Sequence, residues 1–367
     1  MRIESLTFFR FVAALLVVFF HFGGDIGLPK ALVAGQQMVT FFFVLSGFVM
    51  VVAYYRRDQI DLKAYWWARV ARIVPVYLVA LLMMVVFQWV RYSDFDPTAI
   101  LLNVLFLQAW ISPYPLSINS PGWSLSVEMF FYLLFPLLVV LIKRWTVPPL
   151  LVLAVAFGTW LLTQGLSIAA LNLGWYQGYP SLSHDLLFYF PLTHLCSFLL
   201  GAAAGVWFLS RKTDNLSDWV SLPLIALSAF VIGYMLQNAD LIQWQVGLKL
   251  PFESSFLAPF FGFFIVSMAL CHSRWVKVFS LRPLVLLGEA SYSLYILQIP
   301  LRHLYMAGTI RLGDIDPVSK FVGLVLYLIA VSIVSFLYFE KPANRYLRYT
   351  FPVVLRSRMA GVARRFR

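Results

Sequence analysis

The chain has 367 residues, 61% of them hydrophobic and only 12% charged, with a mean hydropathy of +0.82. An ordinary soluble globular protein is excluded, and a polytopic membrane protein is implied. The formal net charge of +12 suggests nucleic acid until the charges are placed: Arg2, the block 56–72, Lys143 and Arg144, Arg211 and Lys212, 274–282 and the tail from Lys341 hold most of the 28 Lys and Arg, and all fall on the cytoplasmic side if the N-terminus is cytoplasmic, so the charge reports orientation and implies no nucleic-acid partner.

The first expected span, 5–22, belongs to the run ESLTFFRFVAALLVVFFHF, which places Arg10 and His21 eleven residues apart. Eleven steps of about 100° return a helix to within roughly 20° of its starting direction, so both side chains share one face, about 16 Å apart along the axis. A cation inside a bilayer-length helix costs a few kcal/mol at the least, which makes Arg10 a functional candidate. Arg10 lies inside the apolar run and no small-residue cleavage site follows it, so the run is not a cleaved signal.

The second span, 35–55, is followed by a basic loop, RRDQIDLKAYWWARVAR, and a third span at 73–89. The apolar piece 100–111 is shorter than the roughly 17–25 residues a span needs and is expected to be interfacial or re-entrant. Further spans are expected at 125–142, 147–162, 191–209, 219–237, 254–271, 287–304 and 321–339. The fold class is therefore an all-α transmembrane bundle of about ten spans with both termini cytoplasmic, residues 1–342 forming the membrane domain and 343–367 a basic tail suited to anionic headgroups. No second globular module is expected after the last span. Cys196 and Cys271 lie in apolar runs and read as small hydrophobes.

Five segments carry polar groups that a structural span does not require. The first is Arg10 with His21. In FFFVLSGF, Ser46 and Gly47 permit close helix approach. In WWARVARIVP, Arg69 and Arg72 are spaced i,i+3 and face the cytoplasm together, as an anchor for phosphates would. In NSPGWSLSVEMFFYLLFP, Ser124 and Glu128 lie one turn apart at a helix start, where Glu128 pairs with Arg10 or His21, titrates, or compensates the helix dipole. The last is GEASYSLYILQIP, Gly288 to Pro300, with FEKP closing the final span.

In order and spacing these segments resemble the membrane-bound acyltransferase-3 family from Arg10 to Pro342. The resemblance implies a multi-pass enzyme of the cytoplasmic membrane that moves an acyl group, usually acetyl, from cytoplasmic acetyl-CoA to a hydroxyl of an exported or cell-envelope carbohydrate. It makes Arg10 and His21 essential. His21 would act as general base or as a transient acyl carrier. Arg10, Arg69 and Arg72, with Ser46 nearby, suit the phosphates of coenzyme A, and Glu128 would orient the imidazole or hold the acceptor. Trp123, Ser124, Tyr292 and Gln298 are the expected substrate contacts. Gln298 stands where many relatives have histidine, and glutamine cannot act as a base near pH 7. His184 and His194 flank an exterior loop and are secondary acceptor candidates; the histidines lack metal-ligand spacing, and no metal is expected. A glycolipid transporter or flippase, a succinyl or other acyl donor, and a lipid-linked acceptor remain alternatives.

Overall fold

The computed structural model describes residues 4–93, 96–211, 217–309 and 316–350, which form helices and turns with no strand. In chain order the helices are α1 (Glu4–Phe22), α2 (Gly35–Tyr54), α3 (Leu62–Tyr92), α4 (Pro97–Val104), α5 (Trp123–Arg144), α6 (Pro149–Asn172), α7 (Leu182–Phe188), α8 (Pro191–Ser210), α9 (Asp218–Gln237), α10 (Ala239–Val246), α11 (Ala258–Leu270), α12 (Arg274–Lys277), α13 (Arg282–Thr309), α14 (Pro317–Ser335) and α15 (Lys341–Arg345). Among the described residues nine helical stretches are long and apolar enough to cross a bilayer, and the chain is a multi-pass helical membrane bundle. Of the tail, residues 351–367 lie outside the described residues.

The eighth expected span, 254–271, is shorter than anticipated. Its helix, α11, has 13 residues, about 20 Å at roughly 1.5 Å per residue. The chain before it is irregular, and its backbone is satisfied by neighbouring side chains: Thr40 Oγ1 donates to the Ser254 carbonyl at 2.7 Å and Trp160 Nε1 to that of Ser255 at 2.9 Å. Non-helical backbone is tolerated at membrane depth only where protein groups supply such partners.

The segment expected as a basic loop stays a loop only to Asp61, and from Leu62 it folds instead as the first turns of α3. Asp61 caps it by accepting from the Ala64 amide at 3.1 Å, and the helix continues through Pro75 into the span. Arg69 and Arg72 therefore ride on a rigid helix. The piece 100–111 does not cross. It forms most of α4, capped by Asp96 on the Thr98 and Ala99 amides, and a returning turn, with Asn103 of the helix and Gln108 of the turn completely buried. Gln108 Nε2 donates to the Gly122 carbonyl at 2.8 Å and Asn119 Nδ2 to that of Ile296 at 3.0 Å. This piece and the chain after it thus fix the start of α5 against α13.

Lipid supplies no hydrophobic drive between helices, so close packing has to hold the bundle. A methyl group on Gly47 would sit 2.2 Å from the Phe198 carbonyl oxygen, and one on Gly201 1.9 Å from that of Val44, so α2 and α8 touch backbone to backbone. Gly288 brings α13 equally close to Thr7 of α1. This second crossing sets the SYSLYILQ segment beside the helix that carries Arg10 and His21. The alternating passes leave the N-terminus of α1, residues 55–61, α12 and α15 at one end of the bundle, called here the basic end. Residues 23–34, 105–122, 173–181 and 238–257 lie at the opposite end.

Candidate active site

Arg10, Ser46, Arg69, Arg72, Ser124, Glu128 and Tyr292 all line one cavity among α1, α2, α3, α5 and α13. Arg10 and Arg72 also line an adjoining cavity of about 360 Å³ toward the basic end, which Glu289, Glu340 and Asn344 border. Arg69 is the most enclosed by aromatic groups: it lies 5.4 Å from the Tyr132 ring centre, 5.8 Å from Tyr54 and 5.9 Å from Tyr65. Its terminal nitrogens reach Met50 Sδ and the Tyr54 hydroxyl, both at 3.3 Å, while its Nε is buried without a hydrogen-bond partner. Such an orphaned donor costs about 1–3 kcal/mol, which an anionic oxygen would relieve.

Three cations face this space. Glu128, one turn after Ser124 on α5, accepts hydrogen bonds from Tyr132 and, at 3.4 Å, from Ser46. It interacts electrostatically with Arg10, as does Glu340. Glu340 is buried in the π-helical turn that follows α14 and accepts from Ser293 Oγ at 2.7 Å. The FEKP and SYSLYILQ segments therefore meet, although neither Glu340 nor Ser293 stood out as a site residue in the sequence.

His21 lines a different cavity, about 220 Å³, with Gln36, Trp123 and Tyr189 among its walls. The two cavities have Val39 and Tyr295 in common. Tyr295 is fixed there: its hydroxyl is 2.7 Å from Ser124 Oγ, and both hydroxyls reach the Pro121 carbonyl, at 3.2 and 3.0 Å. Arg10 and His21 thus point to the same side of α1 but into neighbouring chambers separated by one layer of side chains. Trp123 borders the His21 chamber, and Ser124 borders that of the arginines.

Gln298, fully buried, sets the imidazole. Its Nε2 donates to the Tyr295 carbonyl at 2.7 Å, which turns Oε1 toward His21 Nδ1 at 3.0 Å. A carbonyl oxygen only accepts, so Nδ1 carries the proton and Nε2 keeps its lone pair. Gln298 meets the histidine, where the sequence pointed to a substrate contact. Tyr292 donates to the Ile73 carbonyl at 2.7 Å, tying α13 to α3 at the cavity edge.

The secondary candidates have structural partners. His184 Nδ1 pairs with the Tyr176 hydroxyl at 2.9 Å and Nε2 with that of Tyr189 at 3.4 Å. His194 Nε2 donates to the Phe188 carbonyl at 3.0 Å, and its ring packs on Phe43 and Trp123. Tyr132 and Tyr295 are site residues the sequence did not single out. Tyr132 carries a signal in its i,i+4 spacing from Glu128, whereas the role of Tyr295 depends on contacts made only in the folded chain. Among the described residues no cluster of three or more His, Cys, Asp or Glu is placed to hold a metal ion.

Comparison with known proteins fits this arrangement. The chain is 25% identical to the O-acetyltransferase OatA of Staphylococcus aureus over 367 residues, covering 92% of this chain and 56% of that protein. It is 24% identical to the peptidoglycan O-acetyltransferase OatA of Listeria monocytogenes over 337 residues, covering 82% and 49%. To the acyltransferase MdmB of Streptomyces mycarofaciens it is 36% identical over 163 residues, covering 39% and 41%. The chain thus spans about half the length of these curated relatives. No solved structure matches it. The model of the family described as an acyltransferase domain matches residues 3–339, from the start of α1 to the buried turn beside Glu340, and the chain belongs to the acyltransferase-3 family.

Proposed function

We propose that this protein is a membrane O-acyltransferase that takes an acetyl group from acetyl-CoA at the basic end of the bundle and delivers it to a hydroxyl of an exported or cell-envelope carbohydrate. The observation that carries the reading is the pair of chambers back to back, one holding three arginines and the other an imidazole of set tautomer, with Tyr295 and Val39 between them. The positive-inside rule puts the basic end in the cytoplasm, where acyl-CoA is made, and the His21 chamber toward the outer face of the cytoplasmic membrane.

In this reading the phosphates of coenzyme A lie against Arg69 and Arg72, with Arg10 deeper along the same path. The pantetheine arm carries the thioester to the wall at Tyr295. His21 Nε2 takes the proton of the acceptor hydroxyl as its oxygen attacks the thioester carbonyl. The C–S bond breaks, the electron pair leaves on sulfur, and the imidazolium returns its proton to the thiolate. The Gln298 carbonyl holds Nδ1–H throughout, as the orienting partner of a catalytic histidine does.

The test is thiol release from acetyl-CoA by purified protein in lipid nanodiscs, with and without oligosaccharide, together with mass spectrometry of the sugar. Glycan-dependent release with an ester on the sugar is expected, and His21→Ala should lower it by about 10²–10⁴-fold, the usual size of a general-base contribution. Movement of a glycolipid across the bilayer with no ester formed would overturn the reading.

A further inference from the structure

We propose that the cleft bordered by Phe20, Gln36, Gln37, Tyr176, Gln243 and Glu253 is a binding subsite for a neutral, hydroxyl-rich sugar unit of the acceptor, beside the unit acylated at His21. The proposal rests on the acyltransferase reading for the word acceptor, but the cleft stands on its own geometry. It is a cavity of about 320 Å³ at the end of the bundle opposite the basic loops, within the size range of small-ligand sites. Phe20 and Gln36 line both this cleft and the His21 chamber. An oligosaccharide seated in the first therefore meets the second at the next unit.

Its walls come from distant segments already locked together. Lys30 is ion-paired with Asp240, and the Ala31 amide donates to Gln237 Oε1 at 3.1 Å. Gln243 Oε1 accepts from the Leu250 amide at 2.9 Å, and Asn172 holds both backbone groups of Lys249, at 2.9 and 3.0 Å. Tyr176 is held by its hydroxyl bond to His184. A site pre-formed in this way loses little entropy on binding.

Within these walls, polar groups are left over. Gln243 has its partner in the Leu250 amide, whereas the side chains of Gln36, Gln37 and Glu253, which also line the cleft, make no hydrogen bond or ion pair with protein among the described residues. Two amides and a carboxylate offer both donors and acceptors, the complement of a sugar's hydroxyls. The Phe20 ring, 41% exposed, offers an apolar face to the C–H side of a pyranose ring. Charge selects the ligand class. Lys30 and Lys249 balance Asp240 and Glu253 across the cleft, so nothing there attracts a polyanion, in contrast to the arginine chamber.

Calorimetric titration of the protein in nanodiscs without acetyl-CoA tests the cleft apart from the chemistry, with cellotetraose and chitotetraose as neutral probes and tetragalacturonate as the anionic one. At least one neutral tetramer should bind. Its Kd should rise about tenfold or more in Glu253→Ala and about threefold or more in Gln37→Ala, as loss of a charged and a neutral hydrogen bond implies. KM for acetyl-CoA and thermal unfolding should be unchanged, which excludes misfolding. Failure of both neutral probes to bind, preference for the anionic one, or unchanged Kd in both variants would overturn the proposal. Binding that follows this pattern without any acyl transfer would leave the subsite standing and defeat the acyltransferase reading instead.

Discussion

The arginine chamber and the His21 chamber are only one side-chain layer apart, yet they solve opposite electrostatic problems. In the first, Arg10, Arg69 and Arg72 line the wall beside Glu128, with aromatic rings around Arg69 and a buried, unsatisfied Nε. In the second, a single imidazole is held by a glutamine, and the adjoining cleft balances its charges. A polyphosphate ligand suits one and a hydroxyl-rich neutral ligand the other. Tyr295, bonded to Ser124, keeps the two apart in this state. On the proposed function, the difference means that donor and acceptor are sorted by charge at the two ends of one short path and are not mixed in a common pocket.

The strongest way to break this contrast is to remove the cations. Arg69→Ala with Arg72→Ala should raise KM for acetyl-CoA by about 100-fold or more, since each charge-assisted contact is worth about 1.5–3 kcal/mol. Dephospho-CoA thioesters should discriminate less between wild type and the double variant. If the KM for the acceptor rises instead, the assignment of the two chambers is reversed.

A smaller effect is expected on the other side of the wall. Gln298→Ala removes the acceptor for His21 Nδ1–H and should lower kcat by about tenfold, the measure of one well-placed hydrogen bond, with KM for acetyl-CoA unaltered. Gln298→Glu keeps a carbonyl acceptor at the same reach, and its acid hydroxyl can still donate to the Tyr295 carbonyl as the amide does, so it should retain several-fold more activity than Gln298→Ala. Equal loss in both variants would mean that Gln298 only packs.

The smallest change sharpens the link between the end of α14 and the site. Ser293→Ala deletes the hydroxyl that donates to the buried Glu340 and should cost about 1–3 kcal/mol of stability, read from thermal unfolding in detergent. Its kinetic constants should move less than those of Gln298→Ala.

Much of the fold was legible because membrane spans announce themselves through length and hydropathy. The eleven-residue spacing of Arg10 and His21 also fixed their common face. Three features escaped for physical reasons. The basic segment after Tyr54 reads as a loop by charge throughout, but the Asp61 cap and the absence of a breaker before Pro75 make it helix from Leu62, which turns Arg69 and Arg72 into rigid wall residues. The short α11 passes for a full span because buried backbone can be satisfied by Thr40 and Trp160, neither of which is nearby in sequence. Tyr295 and the Phe20–Glu253 cleft have no motif. They exist only where α13 meets the start of α5, and where residues 20–37 meet the 240–253 segment.

The most direct test is an electron cryomicroscopy structure of the protein in nanodiscs with coenzyme A bound. The phosphates should lie within hydrogen-bond reach of Arg69 and Arg72, with the thiol end directed at the wall formed by Tyr295 and Val39. Coenzyme A bound at the opposite end of the bundle, in the cleft between Phe20 and Glu253 or away from all three arginines, would contradict the separation of donor and acceptor described here.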